Sequence, residues 1–213
     1  IRVMVQHTTT HTPLPRLVIG LIWRHLLPGA LLVYVGLGAL LFFAQRSFIY
    51  HPSNEPLANC ALPANSEIVR FGNTPTEAIQ GKADSDTLVV LYHGNAGGVC
   101  DRTWYATSFF QPQNVAYLLV SYHGYADPMV SPRAETIRQN VADVVAWIET
   151  QSYDRVLVVS ESLGGGAAAY HASLSAPSGL FLSTPFTSLA DERPVIVSLD
   201  ISNEGRQESA APN

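Results

Sequence analysis

The sequence has only two cysteines and few charged residues, and each shortage excludes a class of protein. Cys60 and Cys100 are too few for a disulfide framework, and their spacing matches no metal site. A single bridge between them stays open if the domain is exported. Charged residues make up 14% of the chain and acids outnumber bases 17 to 12, so we do not expect nucleic acid as a partner. We also expect neither a cofactor nor a metal ion.

Acidic residues are absent from the first part of the chain, which contains a long apolar run. No Asp or Glu precedes Glu55, and residues 26–44 carry no charge at all. Nineteen residues at the helical rise span close to the roughly 30 Å hydrocarbon layer of a membrane. Trp23 and Tyr50 suit the two interfaces. The run therefore predicts a single transmembrane anchor, with a cleaved signal peptide and a buried core helix as alternatives.

The basic residues around this run predict its orientation. Arg2, Arg16 and Arg24 precede it, and only Arg46 follows closely. The positive-inside rule then places the amino terminus in the cytoplasm and the rest of the protein on the periplasmic or luminal side. From Glu55 onward the chain has eight basic residues (twelve minus these four) against seventeen acidic ones.

Beyond the anchor, apolar runs alternate with helical patterns. Short runs of this kind are typical of strands that are buried on both faces. Their order predicts an α/β fold with a mostly parallel sheet, helices on both faces and chemistry at the carboxyl ends of the strands. The predicted strands are residues 68–71, 76–80, 87–92, 115–120, 155–159 and 179–182, and the predicted helices start at Asp101 and at Ser131-Pro132 and end near residues 110 and 150.

Residues 160–164, Ser-Glu-Ser-Leu-Gly, indicate the chemistry. They directly follow the apolar run 155–159 and precede a Gly-Gly-Ala-Ala-Ala helix start. A strand, a sharp turn and a helix in this order lift the central hydroxyl clear of the sheet edge and aim the first amides of the helix at its target. Ser162 is therefore the candidate nucleophile. The alternative is an ordinary strand-to-helix loop.

A glycine-rich turn follows an earlier strand, at residues 93–98. In acyl-transfer enzymes of this build, one amide from such a turn and one from the residue after the nucleophile bind the developing oxyanion. The candidate donors are Asn95 or Ala96, together with Leu163. The position of His93 inside the turn favours a structural role over general-base catalysis.

Five short motifs occur in order along the chain, at residues 46–52, 93–97, 121–125, 160–164 and 184–189. Taken together, they are similar to those of the α/β-hydrolase superfamily. The chain most resembles the single-span, membrane-anchored branch of that superfamily. The resemblance implies hydrolysis of ester or thioester bonds, with lipids or small acyl esters as substrates near the bilayer.

The chain departs from the family pattern at several positions. Ser160 replaces the first glycine of the serine turn, and residues 121–126 lack the acid and the base usual in that loop. The family places a catalytic acid and then a histidine after the nucleophile. Only His171 follows Ser162, and nine helical residues at about 1.5 Å each put it roughly 13 Å away, so we expect a surface or packing role. Asp200 is a candidate relic of the acid.

These observations predict a C-terminally incomplete hydrolase, truncated after the sixth strand. The expected parts are a cytoplasmic segment (1–25), the anchor (26–44), a partial hydrolase domain (45–190) and an irregular tail (191–213). Without a triad histidine, we expect the chain to be inactive or weakly active. Two alternatives stay open: a pseudoenzyme that serves as a membrane-tethered binding module, and a tethered α/β domain that binds a small ligand at the same crevice.

Overall fold

The structure is a computed structural model that describes residue 20 and residues 22–72, 76–184 and 197–199. It divides into two units, with the boundary between Gln45 and Arg46. The units are described separately below.

A long apolar helix, α1 (Leu27–Ile49), follows a π-helical turn at Ile22–Leu26. The stretch Trp23–Ile49 has 27 residues, none of them buried, and its most apolar window of 18 residues has a mean hydropathy of 2.2. It is the one helix in the described part of the chain that is long and apolar enough to cross a membrane, a test that an N-terminal signal sequence also passes. The predicted span, 26–44, lies almost entirely within it.

A seven-stranded mixed sheet forms the centre of the second unit. The strands are β1 (Ser66–Phe71), β2 (Thr76–Gly81), β3 (Thr87–Tyr92), β4 (Ala116–Ser121), β5 (Arg155–Glu161), β6 (Gly179–Ser183) and β7 (Val197–Leu199). Their order across the sheet is β1-β2-β4-β3-β5-β6-β7.

The central strands β4, β3, β5 and β6 are parallel, as the sequence predicts, whereas β1, β2 and β7 join the sheet through antiparallel pairs. The apolar pattern does not show these antiparallel directions, although a connection as short as residues 72–75 permits only an antiparallel pair.

The two innermost strands are buried along their whole length. Every residue of β3 and of β4 is buried. Because successive side chains point to opposite faces, Leu88, Val90 and Tyr92 join one hydrophobic cluster, whereas Val89 and Leu91 join the other. Both faces of the sheet are therefore covered, which explains why these runs are almost continuously apolar.

Helices cover both faces, as predicted. On one face lie α2 (Ala134–Glu149) and α3 (Gly164–Leu174). The other is covered by residues 100–113, a succession of short 3₁₀, α and π turns. The helical residues buried in the two clusters are Val141, Val144, Ala167 and Ala168 on the first face, and Ala106 and Phe110 on the second.

Two predicted helix starts are wrong. Pro132 precedes α2 rather than opening it, because Arg133 is still extended (φ −144°, ψ 149°) and Pro132 packs against the left-handed turn at Gly124. Asp101 does not cap its helix. Its carboxylate instead accepts a hydrogen bond from the Gly98 amide, at 2.8 Å, and so closes the glycine-rich turn.

Cys60 and Cys100 form a disulfide, with their Cα atoms 5.1 Å apart. The bond joins the segment after Leu57, which is buried, to the start of the irregular helix. The pairing that the sequence leaves open is therefore made.

Candidate active site

Ser162 occupies a strained turn at the carboxyl end of β5. Its φ of +48° lies in the left-handed region, which costs a residue with a side chain on the order of 1–3 kcal/mol. The turn is fixed on both sides, since the Ser162 amide donates to the carbonyl of Ser183 in β6 and the Gly165 amide donates to the carbonyl of Ser162, each at 2.9 Å. Ser162 is half-buried. The structure therefore holds this serine at the edge of the sheet and outside the regular helix.

Small residues let α3 begin directly against the sheet. A β-carbon on Gly164 would lie 2.1 Å from the carbonyl oxygen of Tyr92 and 2.8 Å from that of His93. Ser160, which replaces the first glycine of the motif, is fully buried. Its hydroxyl has no hydrogen-bond partner in the described part of the chain. The replacement fits because a serine side chain is small enough for this close approach.

The glycine-rich turn lies beside the serine turn. Tyr92, at the end of β3, pairs with Ser160 in the parallel ladder. A β-carbon on Gly94 would lie 3.0 Å from Oε1 of Glu161 and 3.4 Å from its carbonyl oxygen. The two turns, far apart in sequence, therefore meet at one edge of the sheet.

The three candidate oxyanion donors lie on these two turns. Leu163 is the residue that precedes α3, and it has helical backbone angles. Ala96 is exposed and pairs with His51 in a short parallel bridge. Asn95 lies between His93 and this bridge. Their role in binding an oxyanion remains a prediction.

The side chain of Asn95 has a scaffolding function that the sequence did not reveal. Its Oδ1 accepts hydrogen bonds from the backbone amide of His51, at 3.1 Å, and from the hydroxyl of Tyr125, at 2.8 Å. Its Nδ2 donates to the carbonyl of Ile49, the last residue of α1. The prediction for Asn95 as an oxyanion donor therefore concerns its backbone amide.

His93 supports the turn, in agreement with the structural role favoured from the sequence. Its ring is fully buried between Tyr122 and Tyr125, with ring centroids 4.3 and 5.0 Å away. Nδ1 donates to the carbonyl of Gly94 at 2.7 Å, which assigns the proton to that nitrogen because a carbonyl can only accept. Burial lowers the pKa of His93 to about 4. The imidazole is therefore neutral and enclosed near neutral pH.

The loop that lacks the usual acid and base is held by two buried tyrosines instead. The hydroxyl of Tyr122 donates to the carbonyl of His93 at 3.0 Å, and that of Tyr125 donates to Asn95. Burial raises the pKa of both tyrosines, so both hydroxyls remain protonated donors. A Tyr-x-x-Tyr pattern directly after a buried strand is the sequence signal that could have revealed this support.

An ion pair also links the two turns. Arg102 follows the glycine-rich turn, and its guanidinium hydrogen-bonds to both carboxylate oxygens of Glu161, the residue before Ser162. Nothing in the local sequence pattern pairs these two residues.

His171, the one histidine after Ser162 in the sequence, has a structural role. His171 is buried, as a packing residue should be, and its Nδ1 and the hydroxyl of Tyr92 form a hydrogen bond of 2.8 Å. Burial lowers its pKa to about 4. No histidine follows it in the sequence. Asp200, the candidate acid, lies outside the described residues, as does the motif at 184–189 beyond Thr184.

No metal site is present in the described ranges: they contain no group of three or more His, Cys, Asp or Glu side chains that could hold an ion. The site therefore brings together a strained serine and two turns that carry candidate amide donors. The two buried histidines, His93 and His171, are engaged in structural hydrogen bonds.

The chain is similar to distant relatives that are longer than it is. No protein-family model matches the chain. An uncharacterized protein of Mycobacterium tuberculosis is 30% identical over 176 residues, which is 76% of this chain and 62% of the relative. Protein bem46 of Schizosaccharomyces pombe is 25% identical over 118 residues, 53% of this chain and 40% of the relative. The chain thus spans less than two thirds of the length of these curated relatives.

Two solved structures superimpose on much of the chain. One, from Xanthomonas campestris, is described as a member of a/b serine hydrolase without lid; it has a TM-score of 0.51 and 14% identity, over 63% of this chain and 67% of that one. The other is an esterase of Pyrococcus furiosus, with a TM-score of 0.51 and 14% identity, over 66% of this chain and 59% of that one. At this identity, the likeness concerns the fold alone.

Proposed function

Because the chain has the α/β-hydrolase fold, we propose that it is part of a membrane-anchored serine hydrolase that cleaves carboxylic ester or thioester bonds. The solved structures confirm the fold class predicted from the sequence. The observation that carries the proposal is the geometry of Ser162. This serine lies in a strand-to-helix turn with a φ of +48°, and that turn lies directly beside the glycine-rich turn.

In the proposed reaction, the Ser162 hydroxyl attacks the carbonyl carbon of an acyl ester or thioester. The proton leaves the hydroxyl as the new bond forms, and collapse of the tetrahedral intermediate expels the alcohol or thiol and leaves an acyl-serine. The amides of Leu163 and of Asn95 or Ala96 stabilise the negative charge on the carbonyl oxygen. One such donor contributes about 3–4 kcal/mol in enzymes of known mechanism.

The base that takes the proton is not one of the two buried histidines. Nδ1 of His93 is hydrogen-bonded to the carbonyl of Gly94, and Nδ1 of His171 is hydrogen-bonded to the hydroxyl of Tyr92. The chain spans about 60% of the length of its Mycobacterium relative. The proposal assigns the catalytic histidine and acid to the remaining length of such a protein, so this chain alone is inactive or weakly active.

The proposal places the hydrolase domain on the periplasmic or luminal side of the membrane. Two observations support this orientation: arginines cluster before the apolar helix, and the domain contains a disulfide. Disulfides persist in oxidising compartments and are rare in the cytosol. The proposed partners are the bilayer and a lipid or small acyl-ester substrate.

A second candidate function is a membrane-tethered binding module without turnover. The observation that favours it is the occupation of the two buried histidines by structural hydrogen bonds. In this case the serine turn remains as part of a binding crevice.

Hydrolysis of p-nitrophenyl acyl esters and acyl-CoA thioesters by the full-length natural protein in liposomes tests the proposal. Ser162→Ala should lower the rate by a factor of about 10³ or more. Ser160→Ala is the matched control, because the Ser160 hydroxyl lies two residues away in the same motif and makes no hydrogen bond within the described residues. Turnover that survives Ser162→Ala contradicts the proposal, and a folded protein without turnover supports the binding module.

A further inference from the structure

An apolar cavity of about 210 Å³ lies between α2 and α3. Ile137 and Val141 line it from α2, and Gly166, Ala167 and Tyr170 line it from α3. These side chains offer dispersion contacts and almost no hydrogen-bonding groups. The lining therefore suits a hydrocarbon better than a polar metabolite.

Two other lining residues show where this cavity lies relative to the candidate site and to the end of α1. Leu163, the residue directly after Ser162, lines it, and so does Tyr50. Tyr50 is the first residue after α1, and its amide continues the helical hydrogen bonding to the carbonyl of Arg46 at 2.9 Å. The cavity thus lies between the residue that follows the proposed nucleophile and the first residue after α1.

We propose that this cavity is the binding site for one acyl chain of a bilayer-resident ester or thioester. The inference rests on the proposed serine hydrolase and names its substrate class. The reacting carbonyl lies at Ser162, and the hydrocarbon tail passes Leu163 and extends between the two helices towards Tyr50. A substrate that starts in the membrane then reaches the serine without exposing its whole tail to water.

The size of the cavity limits what it holds. At roughly 30 Å³ for each water-sized unit, it has room for about seven such units, and a methylene group is of similar size. A segment of one unbranched chain fits, whereas a whole two-chain lipid does not. Arg138, which is exposed, is the one charged residue among those lining the cavity in the described structure, and its aliphatic stem suits an apolar wall.

Gly166 offers a direct way to fill the cavity. A β-carbon at this position would meet no atom within 4 Å, and leucine is a better helix former than glycine. Gly166→Leu should therefore occupy the cavity without disturbing α3. Ala169→Leu is the matched control, because Ala169 is exposed on the same helix and does not line the cavity.

The first experiment measures how fast alkyl fluorophosphonates of increasing chain length label Ser162 in the full-length natural protein in liposomes. In the parent and in Ala169→Leu, each added methylene up to about seven should raise the rate by up to about fourfold, because each is transferred from water to the cavity. In Gly166→Leu, the ratio of long-chain to ethyl labelling should fall to about one. Equal dependence on chain length in all three proteins would overturn the proposal.

The second experiment tests whether the cavity binds an acyl chain even if the hydrolase proposal is wrong. It uses a photoreactive diazirine fatty acid and Ser162→Ala, so that no reaction at the serine is needed. Crosslinks to α2 and α3 that disappear in Gly166→Leu and persist in Ala169→Leu support the acyl site even if no reagent labels Ser162. Crosslinks elsewhere, or crosslinks that Gly166→Leu leaves unchanged, contradict it.

Discussion

The guanidinium of Arg102 donates to both carboxylate oxygens of Glu161, from Nη2 to Oε1 at 3.0 Å and from Nε to Oε2 at 3.3 Å. The two side chains are only 13% and 29% exposed. Because Glu161 precedes Ser162 and Arg102 follows the glycine-rich turn, the ion pair fixes one turn against the other. It therefore holds the turn that carries Ser162, the proposed nucleophile, against the glycine-rich turn.

Arg102→Gln should lower the free energy of unfolding by about 1–3 kcal/mol, because it leaves a partly buried carboxylate without its cation. It should also slow fluorophosphonate labelling of Ser162. Urea unfolding of the full chain in detergent measures the first effect. Arg70→Gln is the control, since Arg70 is 68% exposed in its ion pair with Glu77 and should lose less than about 1 kcal/mol. Equal losses in both variants would contradict a special role for Arg102.

Gly164→Ala should destabilise the protein by about 3 kcal/mol or more, because the new methyl group would lie 2.1 Å from the backbone oxygen of Tyr92. Gly166→Ala, two residues along the same helix, meets no atom within 4 Å and should stabilise it by up to about 1 kcal/mol. Thermal unfolding of the two variants checks this difference in sign. Two variants of similar stability would show that α3 does not begin against β3.

The stability of the domain should fall as the pH drops from about 6.5 to 4. Burial lowers the pKa of His93 and His171 from 6.5 to about 4, so in this range the unfolded chain binds protons that the folded chain does not. At pH 5, each histidine should lower the free energy of unfolding by about 2 kcal/mol relative to neutral pH. Urea unfolding at pH 7.5 and pH 5.0 measures the loss.

His171→Gln tests how much of this loss of stability at low pH is due to His171. It should remove about half of the loss that the two buried histidines cause between the two pH values, because His93 would be the one of this pair that remains. An unchanged loss in His171→Gln would mean that His171 is not buried in its neutral form.

Reduction of the Cys60–Cys100 disulfide should cost about 4 kcal/mol of stability, the value expected for a closed loop with a sequence separation of 40 residues. Unfolding with and without a reductant measures the difference. The double variant Cys60→Ser, Cys100→Ser should be insensitive to the reductant. If reduction leaves the parent equally stable, the bond does not constrain the fold.

The features that could be predicted from the sequence depend on local patterns. The strand at Thr87–Tyr92 has the predicted bounds, because an apolar run buried on both faces is visible residue by residue. The turn at Ser162 was also found, since strand, small residues and helix follow one another directly. The apolar helix was predicted to end at residue 44 and continues to Ile49, because helical hydrogen bonding does not stop where the apolar composition does.

The features that were missed join residues that are far apart in the sequence. Arg102 and Glu161 are 59 positions apart, and Asn95 reaches back 46 positions to Ile49. No periodicity or turn chemistry indicates such pairs, which exist only once the sheet has brought the two turns together. The antiparallel pairing of β7 with β6 likewise has no local signal in the sequence.

Labelling of the purified full-length natural protein with a fluorophosphonate probe, followed by mass spectrometry of the modified peptide, is the most direct test of the account. The account predicts a single adduct on Ser162 that is lost in Ser162→Ala and kept in Ser160→Ala. A folded protein that carries no adduct, or an adduct on another residue, would contradict the claim that this turn presents a reactive serine.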